Sequence, residues 1–274
     1  MDLFKNCLLA CDIDGTLQVN GKINERSIDR IKYFVSEGGN FALSTGRTAC
    51  AVNDVLEKLS EYISPSVVGN GTVIYDFKND NILFQLALEP DFFDFIKDVY
   101  EKFPTVGIEV HCQKTPYLIR LYDEIEAHGK YEHMVYVPIT LDELHKYSPN
   151  KILFADSDLE NLENLFNYAK DKVSNAEFKK TTADLGGRKR HYVEMVPLNV
   201  SKSSALRELC KIISVKKGGY FAIGDYYNDL EMIKDSDIGC FTADAPDELK
   251  QHADFFSGVA LEGAVADFID YLAE

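Results

Sequence analysis

Leu8-Leu9-Ala10-Cys11-Asp12-Ile13-Asp14-Gly15-Thr16-Leu17 is the stretch on which the reading of this chain turns. An apolar run ends abruptly in two aspartates, a glycine and a threonine. The apolar part reads as a short buried strand, and Gly15 permits a tight turn out of it. Both carboxylates are thereby delivered to the carboxyl end of a strand, the edge at which open α/β sheets place their ligands. Two acids this close are costly to bury unpaired, so they need a cation, a proton or water. Asp, Gly and Thr are also ordinary turn residues, and a surface turn is the bland alternative. Matching chemistry far downstream weighs against it.

Outward from this stretch, strand and helix alternate. Glu25 to Glu37 has Ile28, Ile31, Phe34 and Val35 at helical spacing and is stopped by Gly38-Gly39. Phe41-Ala42-Leu43 is the next buried strand, ending in Ser44-Thr45-Gly46-Arg47, and a helix is expected from about Thr48 to Leu59. Ser66 to Tyr75 reads as a strand with a turn at Asn70-Gly71. From roughly Phe84 to Arg190 the texture becomes mixed α+β. Helices are expected over Phe92 to Phe103 and Leu159 to Val173, and strands over Thr105 to Cys112, Tyr117 to Tyr122 and Lys151 to Ala155. The alternation then resumes: helix from Ser201, strand from Tyr220, short helix from Leu230, strand from Ile238 and a closing helix over Ala260 to Leu272. The simplest architecture is α/β: a parallel-sheet domain built from residues 1–83 and 191–274, with an α+β domain, 84–190, inserted between its halves.

Composition bounds the function. The chain has 274 residues, 46% hydrophobic and 12% aromatic, as an ordinary globular protein does. No apolar stretch approaches the ~20 residues of a membrane span, and the start has no leader-like pattern. The six cysteines are scattered without metal-type pairing, which fits a reduced, cytoplasmic setting. A formal charge of −16 repels nucleic acid and anionic membrane. It also repels phosphorylated metabolites, so a phosphate-handling site here must carry its own local positive charge.

Four segments at strand ends or helix starts supply it: Asp12-Ile13-Asp14-Gly15-Thr16, Ser44-Thr45-Gly46-Arg47, Val200-Ser201-Lys202-Ser203 and Gly224-Asp225-Tyr226-Tyr227-Asn228-Asp229. In a parallel sheet these converge on one edge. Asp12, Asp14, Asp225 and Asp229 are hard oxygen donors suited to Mg²⁺. Thr45 offers a hydroxyl, with backbone N–H groups at a helix start. Lys202 is a point charge for a phosphoryl group or a carboxylate. Taken singly, Lys202 would be a solvated helix residue, and Asn228 and Asp229 helix caps.

In order and content the four segments resemble the haloacid dehalogenase superfamily, in particular the Cof-type sugar-phosphate phosphatases. That resemblance implies a Rossmann-like core with a parallel sheet, an inserted α+β cap domain, and Mg²⁺-dependent hydrolysis of a small phosphorylated metabolite. By it, Asp12 is the nucleophile. Asp14 is the acid and base, with its backbone carbonyl on the metal. Thr45 and Lys202 hold the transferring phosphoryl group. Asp225 is a direct metal ligand, and Asn228 and Asp229 fix Lys202 or metal-bound water. The residues implied at the metal are Asp12, Asp14, Asp225 and Asp229. Those implied against substrate are Thr45, Gly46, Arg47, Lys202 and Asn228. To these is added Arg188 or Arg190, from the basic segment Gly186 to His191, which otherwise reads as a solvated hinge. The chain departs from the family pattern in Tyr226-Tyr227 after Asp225, and in Ala243-Asp244-Ala245 where many members have Gly-Asn-Ala. The expected protein is a monomer or small homo-oligomer. A phosphomutase of the same superfamily, a phospho-Asp receiver module and an inactive binding protein are the competing readings. The large insert argues against the receiver module, and the intact acidic set against the binding protein.

Overall fold

The structure is a computed structural model that describes residues 2–185 and 187–274. In chain order its main elements are β1 (Leu8–Cys11), α1 (Glu25–Ser36), β2 (Asn40–Leu43), α2 (Asn53–Leu59), β3 (Ser66–Val68), β4 (Val73–Asp76) and β5 (Asn81–Gln85). Then come α3 (Phe92–Lys102), β6 (Gly107–Cys112), β7 (Thr115–Arg120), α4 (Asp123–Tyr131), β8 (Lys151–Ala155), α5 (Leu159–Lys172), β9 (Ala176–Leu185) and β10 (Arg188–Pro197). The chain closes with α6 (Lys202–Ile212), β11 (Tyr220–Gly224), α7 (Leu230–Asp235), β12 (Ile238–Phe241) and α8 (Ala264–Leu272). Two compact units result. One comprises the chain up to Arg47, Val52–Phe84 and Ser201–Glu274; the other comprises Thr48–Ala51 and Gln85–Val200.

The first unit is built on a five-stranded sheet in the order Phe255–Phe256, β12, β11, β1, β2. Every neighbouring pair is parallel. A parallel sheet is covered on both faces, so its strands are continuous apolar runs. In β1, Leu9 and Cys11 pack with Ile31, Phe34 and Phe268 from α1 and α8. Leu8 and Ala10 pack with Leu206, Leu209 and Met232 from α6 and α7 on the opposite face. β1 lies between β11 and β2, so the segments after these three strands leave one edge side by side.

The second unit holds a six-stranded sheet in the order Val137–Pro138, β7, β6, β8, β10, β9. All neighbours are antiparallel except the short outer Val137–Pro138 pair with β7. One face carries Ile108, Val110, Ile152, Phe154, Val193 and Met195, packed against the apolar sides of α3 and α5. On the other, Leu153, Ala155 and Tyr192 pack with Ile125 of α4.

Three expectations are corrected. The helix after Arg47 does not begin at Thr48: Ala49–Ala51 form a single 3-10 turn, and α2 starts at Asn53. The basic segment is not a hinge, because Arg188, Lys189, Arg190 and His191 open β10, paired with β9 from Leu185 back to Thr182; Gly186 lies outside the described residues. Consequently the return to the first unit falls at Ser201, not 191. Charged residues on both sides of that hairpin erase the alternating pattern by which a half-buried strand is read. Among the described residues no helix is long and apolar enough to cross a membrane.

Candidate active site

Asp12 directly follows β1 and continues its ladder, its N–H donating to the Ile223 carbonyl of β11 at 3.0 Å. Its carboxylate is buried. Lys202 opens α6, whose N-terminus is fixed by a reciprocal pair between Ser201 and Ser204. The ammonium, only 1% exposed, donates to Asp12 Oδ1 at 2.5 Å and to Asp229 Oδ1 at 2.7 Å. The other Asp229 oxygen accepts the backbone N–H groups of Asp225 (3.0 Å) and Tyr226 (3.1 Å). Asp225 Oδ1 accepts the Thr16 hydroxyl at 2.7 Å. One oxygen from each of Asp12, Asp225 and Asp229 lies within 4.8 Å of the others.

Two glycines make this closeness possible. Gly15 has φ +89°, and a Cβ there would fall 2.4 Å from Asp225 Oδ2. A Cβ on Gly224 would fall 2.4 Å from Asp229 Cγ. The backbone must approach both carboxylates more tightly than any side chain allows.

Three carboxylates, two buried and one half-buried, cluster beside one ammonium that bonds two of them, and their protonation shows the excess. Burial pushes the Asp12 carboxyl well above its ordinary range; Lys202 opposes this, while Asp229 and Asp225 add to it. Burial, with Asp229 adding, carries Asp225 up to about 6 against the pull of Thr16. For Lys202, burial favours the neutral amine, but Asp12 and Asp229 more than offset it and raise its pKa. Three carboxylates this close together carry more negative charge than one ammonium balances, and a proton or a cation must make up the difference. All-oxygen donors of this kind fit a hard divalent ion.

Asp14 stands apart from this cluster. Its carboxylate takes both arms of the Arg47 guanidinium, Nε at 2.8 Å and Nη2 at 2.6 Å. Nη1 of Arg47 donates to both oxygens of Asp54, at 3.0 and 3.2 Å. Arg47, expected against substrate, is thus committed to two carboxylates of its own unit. The buried Thr45 hydroxyl accepts the Arg47 N–H at 3.1 Å, so it sits in a turn and not at a helix start. Gly46 lies against Asn70, whose Nδ2 would be 3.0 Å from a Cβ at that position. Asn228 donates to Asn70 Oδ1 at 3.3 Å. Tyr226 and Tyr227 are exposed, their rings edge to face at 5.0 Å. In place of an Asn, Asp244 accepts the Ala260 N–H at 3.0 Å.

In the second unit, Arg188 and Arg190 meet on the carboxylate of Glu124 in α4, Arg188 at 3.2 Å and Arg190 closer still. Thr16, Gln18 and Asp54 carry contacts that the sequence reading gave no role. Thr16 and Gln18 lie within or just beyond the first motif, where only proximity to it could have flagged them; Asp54 gave no signal.

A sequence model of the haloacid dehalogenase-like hydrolases matches residues 9–269. The 5-amino-6-(5-phospho-D-ribitylamino)uracil phosphatase YwtE of Bacillus subtilis is 26% identical over 296 residues, covering 96% of this chain and 97% of its own. Among solved structures, a haloacid dehalogenase-like hydrolase from Bacteroides thetaiotaomicron superposes with a TM-score of 0.83 at 20% identity, covering 97% of this chain and 99% of its own. The HAD subclass IIB sugar phosphatase BT4131 superposes with a TM-score of 0.78 at 16% identity, covering 97% and 98%. The chain belongs to the haloacid dehalogenase-like hydrolase family. It is an enzyme, a hydrolase of that superfamily.

Proposed function

We propose that the enzyme hydrolyses a small phosphomonoester, a sugar phosphate or similar metabolite, through an aspartyl-phosphate on Asp12. The observation that carries this is the placement of Asp12: at a strand end, held by Lys202 at 2.5 Å, beside two further carboxylates. A named sugar phosphatase among the structural relatives and a ribityl-phosphate phosphatase among the sequence relatives point to the same substrate class.

In this reading an Asp12 oxygen attacks phosphorus and the bond to the leaving alcohol breaks. Asp14, starting the cycle with a proton on one oxygen in place of one of its two Arg47 hydrogen bonds, gives that proton to the alcohol. A water molecule then loses a proton to Asp14 and attacks the same phosphorus, the bond to Asp12 breaks, and inorganic phosphate leaves. Lys202 places positive charge beside Asp12 and the phosphoryl oxygens, held there by Asp229. Thr45 donates its hydroxyl to a phosphoryl oxygen. Mg²⁺, held by Asp12, Asp225 and the Asp14 carbonyl, supplies charge neutralisation when bound. Both Asp229 oxygens are already occupied by Lys202 and two N–H groups, so Asp229 is given the positioning part. The insert is assigned the selection of the leaving group. The cysteines, all free, suit work in a reducing cytoplasm.

The experiment is phosphate release from a panel of phosphorylated metabolites and 4-nitrophenyl phosphate, with Mg²⁺ or EDTA, using the native enzyme and Asp12→Asn. Metal-dependent release abolished by Asp12→Asn is expected. Release that survives the substitution overturns the nucleophile assignment, and phosphate retained on another hydroxyl of the substrate indicates a mutase.

A further inference from the structure

The guanidinium that grips Asp14 is itself gripped. Asp54, in the first turn of α2, accepts Arg47 Nη1 on both oxygens. The same carboxylate accepts Gln18 Nε2 at 3.0 Å and the Val55 N–H at 3.0 Å. Its pKa is lowered: burial works against ionisation, but the bond from Gln18 and the charge and bond of Arg47 more than offset it. Gln18 is 2% exposed. Its backbone carbonyl accepts the Gly15 N–H at 3.0 Å, so it is tied to the turn that carries Asp14. Its amide oxygen has no hydrogen-bond partner, so this buried side chain is held at its one described contact, the Asp54 carboxylate.

Fork-to-fork pairing of a guanidinium with a carboxylate fixes orientation as well as distance. A free Arg side chain has ~2 kcal/mol of rotamer entropy to lose. Asp54 removes that freedom before the reaction, because Arg47 can satisfy Asp54 and Asp14 together in only a narrow set of rotamers. An acid that must deliver a proton to one alcohol oxygen gains from such fixing.

We infer that Asp54 and Gln18 are positioning residues: through Arg47 they set the orientation of the Asp14 carboxylate and hence its proton transfers. The inference rests on the reading of Asp14 as acid and base, and it can fail while that reading stands.

The test compares kcat/KM for phenyl phosphate with that for 4-nitrophenyl phosphate. The nitrophenolate leaves without help, and the phenolate needs a proton. Asp14→Asn is expected to lower the phenyl rate far more than the nitrophenyl rate, by the ~10²-fold or more typical of a lost general acid. Asp54→Asn and Asp54→Ala are expected to shift the same ratio by ~10-fold in the same direction, a fraction of the full loss. KM should stay unchanged, and Gln18→Ala should give a smaller shift of the same sign. Adding Asp54→Ala to Asp14→Asn should cost nothing further, since residues that act through one another are not additive. If Asp14→Asn changes the ratio and the Asp54 variants do not, the relay is wrong and the acid assignment stands. If Asp14→Asn leaves the ratio unchanged, the acid assignment itself is wrong. Equal losses on both substrates in the Asp54 variants, with a lowered melting temperature, would show a purely structural role and overturn the inference.

Discussion

Lys202 Nζ lies 2.5 Å from Asp12 Oδ1 across 190 positions of sequence, and both groups are shut away from solvent. The pair joins the first strand to the helix that follows the insert, so the two halves of the first unit are tied at the site itself. Lys202→Met should therefore be read in two assays. Removing one partner of a buried pair costs ~3–5 kcal/mol, and Asp12 and Asp229 would then face each other uncompensated. Loss of one preorganised positive donor lowers kcat by ~10²–10³. Thermal unfolding and phosphate release measured on the same preparation check both. A variant that keeps its melting temperature and its kcat would show that Lys202 is no more than the first residue of α6.

Metal binding should be coupled to pH through Asp225. Its carboxyl is raised to about 6, chiefly by burial. An ion must displace that proton, so affinity weakens below pH 6 and is independent of Asp225 above it. The sign for the metal-free protein is opposite to that of an ordinary surface aspartate. A raised carboxyl binds more protons folded than unfolded, so its contribution favours the fold at low pH and is lost as pH rises through about 6. The expected outcome is a melting-temperature gain on adding Mg²⁺ that is large at pH 7.5 and small at pH 5. Asp225→Asn should abolish the gain at both. A gain that does not vary with pH would place the ion elsewhere.

Why so much of this site was legible in the sequence, and the rest not, follows from where each residue gets its constraint. Asp12, Lys202 and Asp225 sit at strand ends or helix starts, and their position follows from the element that carries them. A buried parallel strand is a run of apolar residues, so β1, β2, β11 and β12 could be read directly. Gly15 could be read as a turn residue, but its closeness to Asp225, which leaves no room for a Cβ, could not. Arg47 shows the limit. Its presence in Ser44-Thr45-Gly46-Arg47 was plain, but its partner is a side-chain choice made in space, and Asp54 carries no local sign of it. The β9–β10 hairpin was hidden for another reason. Its tip is charged on both faces, and the glycines and arginines there read as a linker when in fact Arg190 is half of a mostly buried ion pair.

That ion pair yields a prediction of its own. Glu124 is 5% exposed at its side chain and meets both Arg188 and Arg190. Arg188 is largely in water and Arg190 is mostly covered, so the two substitutions should differ. Exposed ion pairs contribute ~0–1 kcal/mol, whereas stranding a buried carboxylate costs several times as much. Arg188→Ala should leave the unfolding midpoint nearly unchanged, and Arg190→Ala should lower it clearly. If instead the stabilities match and KM for the best substrate of the panel rises in both variants, these arginines belong to substrate recognition.

The deepest charge in the second unit is Glu109 on β6, which is fully buried. One oxygen meets His111; the other accepts from Tyr136 at 2.5 Å and pairs with His128 Nδ1 of α4 at 3.0 Å. Burial would raise the Glu109 pKa, but the charges and bonds of His111 and His128 hold it well below the usual range. Burial would likewise lower His128, and Glu109 more than offsets this, so its pKa is raised. At His111 burial wins over Glu109, and its pKa is lowered. The signs then fix a window. The raised His128 stabilises fully below its unfolded value of ~6.5 and fades as pH climbs through the folded one. The depressed Glu109 stabilises above its unfolded value of ~4.3 and fades only in stronger acid. Glu109→Gln removes both terms and leaves His111 without the charge that favours its protonation. Its cost relative to the native protein, ~3–5 kcal/mol at most, should therefore be largest near pH 6 and shrink toward pH 9. Urea unfolding of the two proteins at pH 6, 7.5 and 9 measures that difference. A gap that is flat or widens with pH would mean that His128 is held neutral and that α4 is fastened to the sheet by Tyr136 and apolar packing alone.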